Sequence, residues 1–191
     1  MWRTLFTLSL IPITLSLVLR WWFALRVLAT EGRRPCRCDL TIWQPASTAS
    51  DEVSRSDLTA AKFGLDLREK ALADWKSADP KGYGSRQNSL RFALAAPPLS
   101  GIVAVFAVLV GKVPFTGALS IPLAFIALAT LTGVMSLPAE LAAIQRAIQK
   151  TRKERAFANR DDEDAVARCA AAWAWEHSTP PILRLLHKGS G

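Results

Sequence analysis

The sequence predicts an all-α integral membrane protein, with an N-terminal anchor helix, a transmembrane helical hairpin and cytoplasmic amphipathic helices. Half of the 191 residues are hydrophobic, and they are collected in three blocks rather than spaced as in a soluble core. Basic residues, which give the chain a formal net charge of +8, flank these blocks as they flank membrane helices beside anionic lipid. This placement argues for the lipid bilayer, and against nucleic acid, as the partner of the basic charge.

The first block, "LFTLSLIPITLSLVL", is about fifteen residues long, slightly short for a membrane-spanning helix. Arg20 is expected to extend its guanidinium to the membrane surface, and Trp21 and Trp22 suit the same interface. The helix is therefore predicted to continue to Ala29, which gives an N-terminal transmembrane anchor over residues 1–29.

A cleaved signal peptide is the alternative for this anchor. The start "MWR" is basic, and "VLA" ending at Ala29 is a passable cleavage site. Two arginines and two tryptophans separate the apolar run from that site, which is unlike the run that precedes signal-peptide cleavage. We therefore favour an uncleaved anchor.

The second and third blocks, 92–110 and 118–137, are predicted to form the transmembrane hairpin. The connection "GKVPFTG" between them consists of turn-forming residues. Prolines within and beside the blocks are tolerated in membrane helices because neighbouring groups satisfy the carbonyls that proline frees. The hairpin and the helix that leaves the membrane are predicted to occupy residues 91–147.

The basic residues near the span ends predict the orientation. They cluster after the first block, before the second and after the third, whereas the N-terminus and the hairpin tip each carry a single basic side chain. The three clusters share one side only if the N-terminus is outside. The chain is thus predicted to lie in a bacterial inner membrane, with residues 30–90 and the tail, 148–191, in the cytoplasm. Arg91 and Arg146 are expected at the interface.

A cytoplasmic helix is predicted in "SDLTAAKFGLDLREKALADWKSADP", capped by Ser56 or Asp57 and ended by Pro80. Its apolar face is expected to be interrupted at Arg68 and to pack on the protein's own surface; the alternative is a partner groove or a lipid surface. The apolar face is predicted to contain Leu58, Ala61, Leu65, Leu72 and Trp75. The candidate partner-binding residues on it are Leu58, Leu65, Leu72 and Trp75.

A helical extension and one further helix are predicted after the third block. The third block's helix is expected to continue past Pro138 as an amphipathic extension. "NRDDED" ends this extension and supplies an acidic first turn for the next helix, which is favourable against the helix dipole. That helix, "AVARCAAAWAWEH", carries Trp173 and Trp175, which suit a membrane interface or a partner surface.

Histidines and cysteines that could bind a catalytic metal ion are few, two and three in the whole sequence. Cys36 and Cys38 alone cannot complete a structural zinc site, which takes about four ligands. His177 and His187 are not the i, i+4 pair of a zinc helix, and no HExxH, P-loop, GxGxxG or GxSxG motif occurs. Three cysteines on predicted cytoplasmic segments indicate free thiols rather than a disulfide framework. The sequence predicts a protein that is not an enzyme and holds no cofactor.

The stretch "SLPAELAAIQRAI" carries a family resemblance. The chain is similar to bacterial membrane-bound neutral zinc metallopeptidases, mainly over residues 83–187. In that family an anchor leads to a cytoplasmic HExxH helix, then to an apolar hairpin and to the motif LP-x-E-F-x-A-S-x-R-A. "YGSRQNSLRFAL" resembles the segment before the hairpin, and "AVARCAAAWAW" followed by "ILRLLH" resembles the C-terminal segment. The motif is matched in order by Leu137, Pro138, Glu140, Ala143, Arg146 and Ala147.

The resemblance implies that Glu140 stands at the position of the third zinc ligand. Its counterpart of the HExxH helix is "REKAL", where Arg68 and Leu72 replace the two histidines around Glu69. Ala142 replaces the acidic residue that often follows the third ligand. The resemblance therefore implies a degenerate relative, a pseudoenzyme that has lost its metal site.

Three functions follow, in order of preference. The first is a non-catalytic, peptidase-like binding or scaffolding protein of the membrane, with a protein partner of unknown identity. The second is an accessory or assembly subunit of a larger membrane complex. The third is an active zinc metallopeptidase with an unorthodox site built from Cys36, Cys38, Glu140 and a histidine.

Overall fold

The computed structural model describes residues 2–36, 38, 59–111, 114–181 and 183. These residues are all-helical, and no strand occurs among them, which confirms the predicted all-α class. In chain order the elements are α1 (Trp2–Arg20), a π-helical turn (Trp21–Leu25), α2 (Arg26–Thr30), α3 (Ala60–Ala78), α4 (Pro80–Leu109), α5 (Phe115–Glu154) and α6 (Arg160–Ser178).

Three helical stretches are long and apolar enough to cross a membrane by length and composition: Trp2–Thr30, Pro80–Leu109 and Thr116–Glu154. Each overlaps one of the three predicted blocks, and the second and third extend beyond their blocks by about ten residues or more. Many of their large apolar side chains are exposed on the protein surface; Met135, for example, is 79% exposed. Apolar surface of this extent indicates contact with lipid or with another protein, and three such helices are compatible with a membrane protein.

Helix boundaries follow local signals. The predicted end of the cytoplasmic helix before Pro80 is confirmed, since α3 ends at Ala78. Pro80 also begins α4, a first-turn position at which the missing N–H has no helical partner to lose. The predicted extension past Pro138 is confirmed because α5 continues to Glu154. The predicted acidic first turn of α6 is confirmed as well.

The apolar face predicted for α3 differs from the face that the structure buries. The predicted caps, Ser56 and Asp57, lie outside the described residues, and α3 starts directly after Thr59. Arg68 does not interrupt the buried face but belongs to it, because its charge is paired in the interior. Leu65 and Leu72 are only half-buried, at the edge of this face. The face consists of Ala60, Phe63, Gly64, Leu67, Arg68, Ala71 and Trp75.

The chain divides into two compact units, and each unit combines parts of several segments expected from the sequence. Unit 1 comprises residues 1–19, 85–137 and 178–191. Unit 2 comprises residues 20–84 and 138–177. The expected segments are 1–29, 30–90, 91–147 and 148–191, whereas the boundaries of the units fall inside α1, α4, α5 and α6.

Unit 1 contains a buried arginine among apolar helices. Arg86, assigned from the sequence to a flanking basic cluster, is only 2% exposed. Its Nη1 donates hydrogen bonds to the Gly133 carbonyl at 2.8 Å and to Ser136 Oγ at 2.6 Å. Its Nη2 donates to Ser178 Oγ at 2.8 Å. These bonds satisfy donors that would otherwise be costly to bury, and they join α4, α5 and the end of α6.

Unit 2 is held together by a close approach of α3 and α6. A Cβ added to Gly64 would lie 2.7 Å from the Cys169 Cβ, so only glycine permits this spacing. Trp173 Nε1 donates a hydrogen bond to the Ala61 carbonyl at 2.9 Å. The helices therefore meet through small residues and one aromatic donor.

Candidate functional site

A buried ion pair joins α3 and α5 in unit 2. Arg68 Nε donates to Glu140 Oε1 at 2.6 Å, and the two side chains are 8% and 1% exposed. The distance is that of a strong, charge-assisted hydrogen bond. The fold thus brings together the residue that replaces the first HExxH histidine and the residue at the position of the third zinc ligand, as the resemblance aligns them.

The helical register of α5 explains why Glu140 is buried. Leu137 and Ile144, three residues before it and four after it, are both 2% exposed, so Glu140 lies on the apolar face of the helix. An ionised carboxylate is costly to bury unless it is paired. Arg68 supplies the compensating charge from the buried face of α3. Glu69, the central residue of "REKAL", is exposed.

A cleft of about 180 Å³ lies between α3 and α5, one helical turn beyond the ion pair. Its walls include Ala71 and Ala143, each three residues after a member of the pair. The small side chains leave space for an apolar group from outside. At the rim, Lys150 Nζ and Asp74 Oδ2 lie 4.0 Å apart with both side chains 66% exposed, a contact that contributes little. The complete lining is Ala71, Asp74, Trp75, Ala78, Ala143, Arg146, Ala147 and Lys150.

Arg20 is buried in an ion pair, although the sequence predicts that it extends to the membrane surface; its position relative to lipid stays a prediction. It is 5% exposed, and its Nε and Nη2 donate to the two carboxylate oxygens of Glu176 at 2.7 and 2.6 Å. In this bidentate pair within unit 2, Glu176 supplies the negative charge. An arginine that extends to the membrane surface would instead pair with lipid headgroups.

The other predicted interface residues are exposed. Trp21 and Trp22 are 53% and 51% exposed, and the Arg26 guanidinium lies 4.7 Å from the centre of the Trp22 ring. Both tryptophans belong to the π-helical turn. Arg91 and Arg146 are exposed as well. Their contact with lipid headgroups stays a prediction.

The described members of the predicted partner-binding set are partly or fully buried within unit 2. Leu58 lies outside the described residues, and Leu65 and Leu72 are half-buried. Trp75 is buried and meets Tyr83 edge to face, with ring centres 5.9 Å apart. Their partner role therefore stays a prediction, with the α3–α5 cleft as the better-formed surface on the same helix.

The two tryptophans of α6 likewise contact their own unit. Trp173 bonds to the Ala61 carbonyl, and Trp175 stacks on Phe23 with ring centres 5.3 Å apart. Both remain half-buried. Each therefore offers only part of its ring to an interface or a partner.

The three cysteines have different surroundings. Cys36 and Cys169 are buried free thiols. Burial raises the pKa of the Cys36 thiol to about 11 and that of Cys169 to about 12. Both are therefore protonated at neutral pH and poor nucleophiles or metal ligands. Cys38 is half-buried, and its Sγ lies 3.3 Å from the Ala156 carbonyl oxygen.

Within the described ranges, no three His, Cys, Asp or Glu residues are grouped to hold a metal ion. His177 Nδ1 lies 2.8 Å from the Trp173 carbonyl oxygen, and His187 lies outside those ranges. The unorthodox site considered from the sequence would need Cys36, Cys38 and Glu140 together. Cys38 Sγ lies against the Ala156 carbonyl, whereas Glu140 is paired with Arg68, so the two residues take part in separate contacts.

No protein-family model, curated protein or solved structure shows a significant match to this chain.

Proposed function

We propose that this chain is a non-catalytic, peptidase-like membrane protein that binds or scaffolds a protein partner through unit 2. The Arg68–Glu140 pair carries the proposal. The resemblance implies that a zinc ion would lie between a histidine and a carboxylate at these two positions. Here the guanidinium of Arg68 supplies the positive charge instead. A guanidinium has no acceptor and no open coordination position, so it cannot activate water as a catalytic metal ion does.

The α3–α5 cleft is the surface proposed for the partner. Its apolar walls suit one aliphatic side chain, and its rim is basic on balance, with Arg146 and Lys150 against Asp74. Arg146 makes no ion pair with any described residue; its Nε only approaches the Ala142 carbonyl of its own helix at 3.4 Å. The occupant that matches this chemistry is a partner segment with an aliphatic side chain next to a carboxylate.

The binding test compares two substitutions on α5. Ala147→Leu fills the cleft and is expected to abolish co-purification of a stoichiometric partner after crosslinking in native membranes. Ala142→Leu adds the same side chain on the exposed side of the helix and should leave the partner bound. Arg146→Glu reverses a rim charge without altering buried packing, so it serves if Ala147→Leu fails to fold. Quantitative mass spectrometry provides the readout.

The alternatives predict different results in the same preparations. If the partner remains bound in both Ala147→Leu and Arg146→Glu, the cleft is not the partner-binding surface. This result favours an accessory subunit assembled through its apolar helices. Elemental analysis of protein purified without chelator is expected to show no stoichiometric zinc. Zinc that is present in the wild type and lost in Glu140→Ala would instead establish a metal site at Glu140 and contradict the non-catalytic proposal if a hydrolase assay then detects activity.

We further propose a bacterial inner-membrane location with the N-terminus outside and residues 30–90 and the C-terminal tail cytoplasmic. The three basic clusters support this orientation. The grouping of 20–84 with 138–177 in one compact unit supports a shared side of the membrane for these two segments, since residues that pack together lie on one side.

Thiol labelling tests this orientation. A membrane-impermeant maleimide is expected to label Cys38 in inverted membrane vesicles but not in intact spheroplasts. Cys36 and Cys169 should stay unlabelled in both because burial keeps these thiols protonated, and all three should react after denaturation in SDS. Cys38→Ser should remove the native label. Labelling of Cys38 in intact spheroplasts would reverse the proposed orientation.

A further inference from the structure

A cavity of about 580 Å³ opens where α5 turns into α6, within unit 2. This cavity is separate from the α3–α5 cleft and shares no lining residue with it. Its lining is mainly polar and includes Arg152, Arg155, Phe157, Arg160, Glu163 and Asp164. Three guanidinium groups therefore surround one space beside a single buried aromatic ring.

One of the three arginines is already engaged. Arg152 Nε donates to Glu163 Oε1 at 2.7 Å, and its Nη2 donates to Asp164 Oδ1 at 2.5 Å. The two carboxylates of the cavity are thus directed to Arg152. Because these carboxylates already bind Arg152, an incoming anion is expected to contact the other two guanidinium groups of the lining.

The other two arginines are uncommitted. The side chains of Arg155 and Arg160 are exposed and make no hydrogen bond or ion pair with any residue that the structure describes. Two guanidinium groups in one cavity, neither of them paired with its carboxylates, match a doubly charged anion. Guanidinium groups bind phosphate through paired, charge-assisted hydrogen bonds.

The backbone at Arg155 adds an independent observation. Its φ is +52°, and no other non-glycine residue in the described ranges has a positive φ. Arg155 N–H donates to the Arg152 carbonyl at 3.3 Å and Ala156 N–H to the Thr151 carbonyl at 3.5 Å. This is the pattern of a Schellman helix end, where glycine is the favoured residue because it has no Cβ. An arginine here costs stability, which indicates a use for its side chain.

We propose that this cavity binds a phosphate group, held by Arg155 and Arg160. The volume exceeds that of phosphate alone, so the ligand is a phosphate ester, carried by a soluble metabolite or by a phospholipid headgroup. This site goes beyond the partner-binding function and does not depend on it.

The decisive variant is Arg155→Gly, because stability and binding should change in opposite directions. Glycine relieves the left-handed backbone and should raise the melting temperature, while the loss of the guanidinium should weaken binding of inorganic phosphate by about tenfold or more. Isothermal titration of full-length protein in detergent, in a phosphate-free buffer, measures the binding. Arg160→Gln should weaken binding comparably. Lys153→Ala removes an exposed charge from the same helix end, outside the cavity, and should leave binding unchanged.

Competition distinguishes the sources of the phosphate. Short-chain phosphatidic acid that binds more tightly than a sugar phosphate identifies a lipid headgroup ligand, and the reverse order identifies a soluble phosphate ester. The absence of measurable phosphate binding by the wild-type protein would overturn the proposal. Equal weakening by Lys153→Ala and Arg155→Gly would also overturn it, because it would show attraction by net charge without a site.

Discussion

Glu140→Leu is expected to destabilise the protein by about 3–5 kcal/mol, because it leaves the Arg68 guanidinium buried without its carboxylate. The converse change, Arg68→Met, should cost a similar amount since it leaves a carboxylate in the apolar register of α5. Chemical unfolding in detergent micelles, followed by far-ultraviolet circular dichroism, measures both losses.

The double variant Arg68→Met/Glu140→Leu is the control for this prediction. Apolar replacement of a whole buried ion pair is often neutral or stabilising, so the double variant should recover most of the stability lost by either single variant. The coupling energy from this cycle isolates the pair interaction. Losses that simply add would show that the two side chains do not depend on each other.

The same set of single and double variants also tests whether the ion pair takes part in partner binding. If the pair replaces a metal site and serves only to hold α3 against α5, the refolded double variant should still bind the partner. Loss of partner binding in a fully stable double variant would show that the charges themselves belong to the recognition surface. Both outcomes are read by the co-purification assay described above.

Gly64→Ala is expected to destabilise the protein by about 2 kcal/mol through overpacking. The new Cβ would lie 2.7 Å from the Cys169 Cβ and 2.8 Å from the Ala170 nitrogen. The second contact is with backbone, so no side-chain rotation relieves it, and α3 and α6 must separate. This cost exceeds the gain of about 1 kcal/mol that alanine brings to a helix over glycine.

Gly84→Ala is the matched control for Gly64→Ala. Gly84 lies within α4, and an added Cβ would meet nothing within 4 Å. The same substitution should therefore stabilise the protein by up to about 1 kcal/mol, through helix propensity alone. A destabilisation of equal size at both positions would show that the α3–α6 contact does not limit the packing. Thermal unfolding of both variants in one detergent gives the comparison.

Several features were predictable because their signals are local in the chain. The lengths of the three apolar blocks indicate helices that can span a membrane. The acidic run before α6 and the proline after α3 mark helix ends through the chemistry of nearby backbone groups. The sequence also placed Arg68 and Glu140 at positions of a family motif, but it did not predict that the two residues pair with each other.

The arginines show what local signals could not supply. In the sequence, Arg20, Arg68 and Arg86 look like exposed or flanking cations, yet all three are buried. Their partners lie far along the chain: Glu176 for Arg20, Glu140 for Arg68 and Ser178 for Arg86. Arg155 became notable only through its backbone angle and the cavity beside it.

By itself the sequence determined the helical class, the apolar spans and the absence of an HExxH motif, because block length, composition and motif spacing are properties of consecutive residues. Only the tertiary structure decided which charges are buried and which remain available. Burial of a charge depends on whether a partner arrives from another helix, since an unpaired charge is too costly to leave in an apolar interior. That long-range pairing turned an apparent gap in an apolar face, Arg68, into the ion pair on which the proposed function rests.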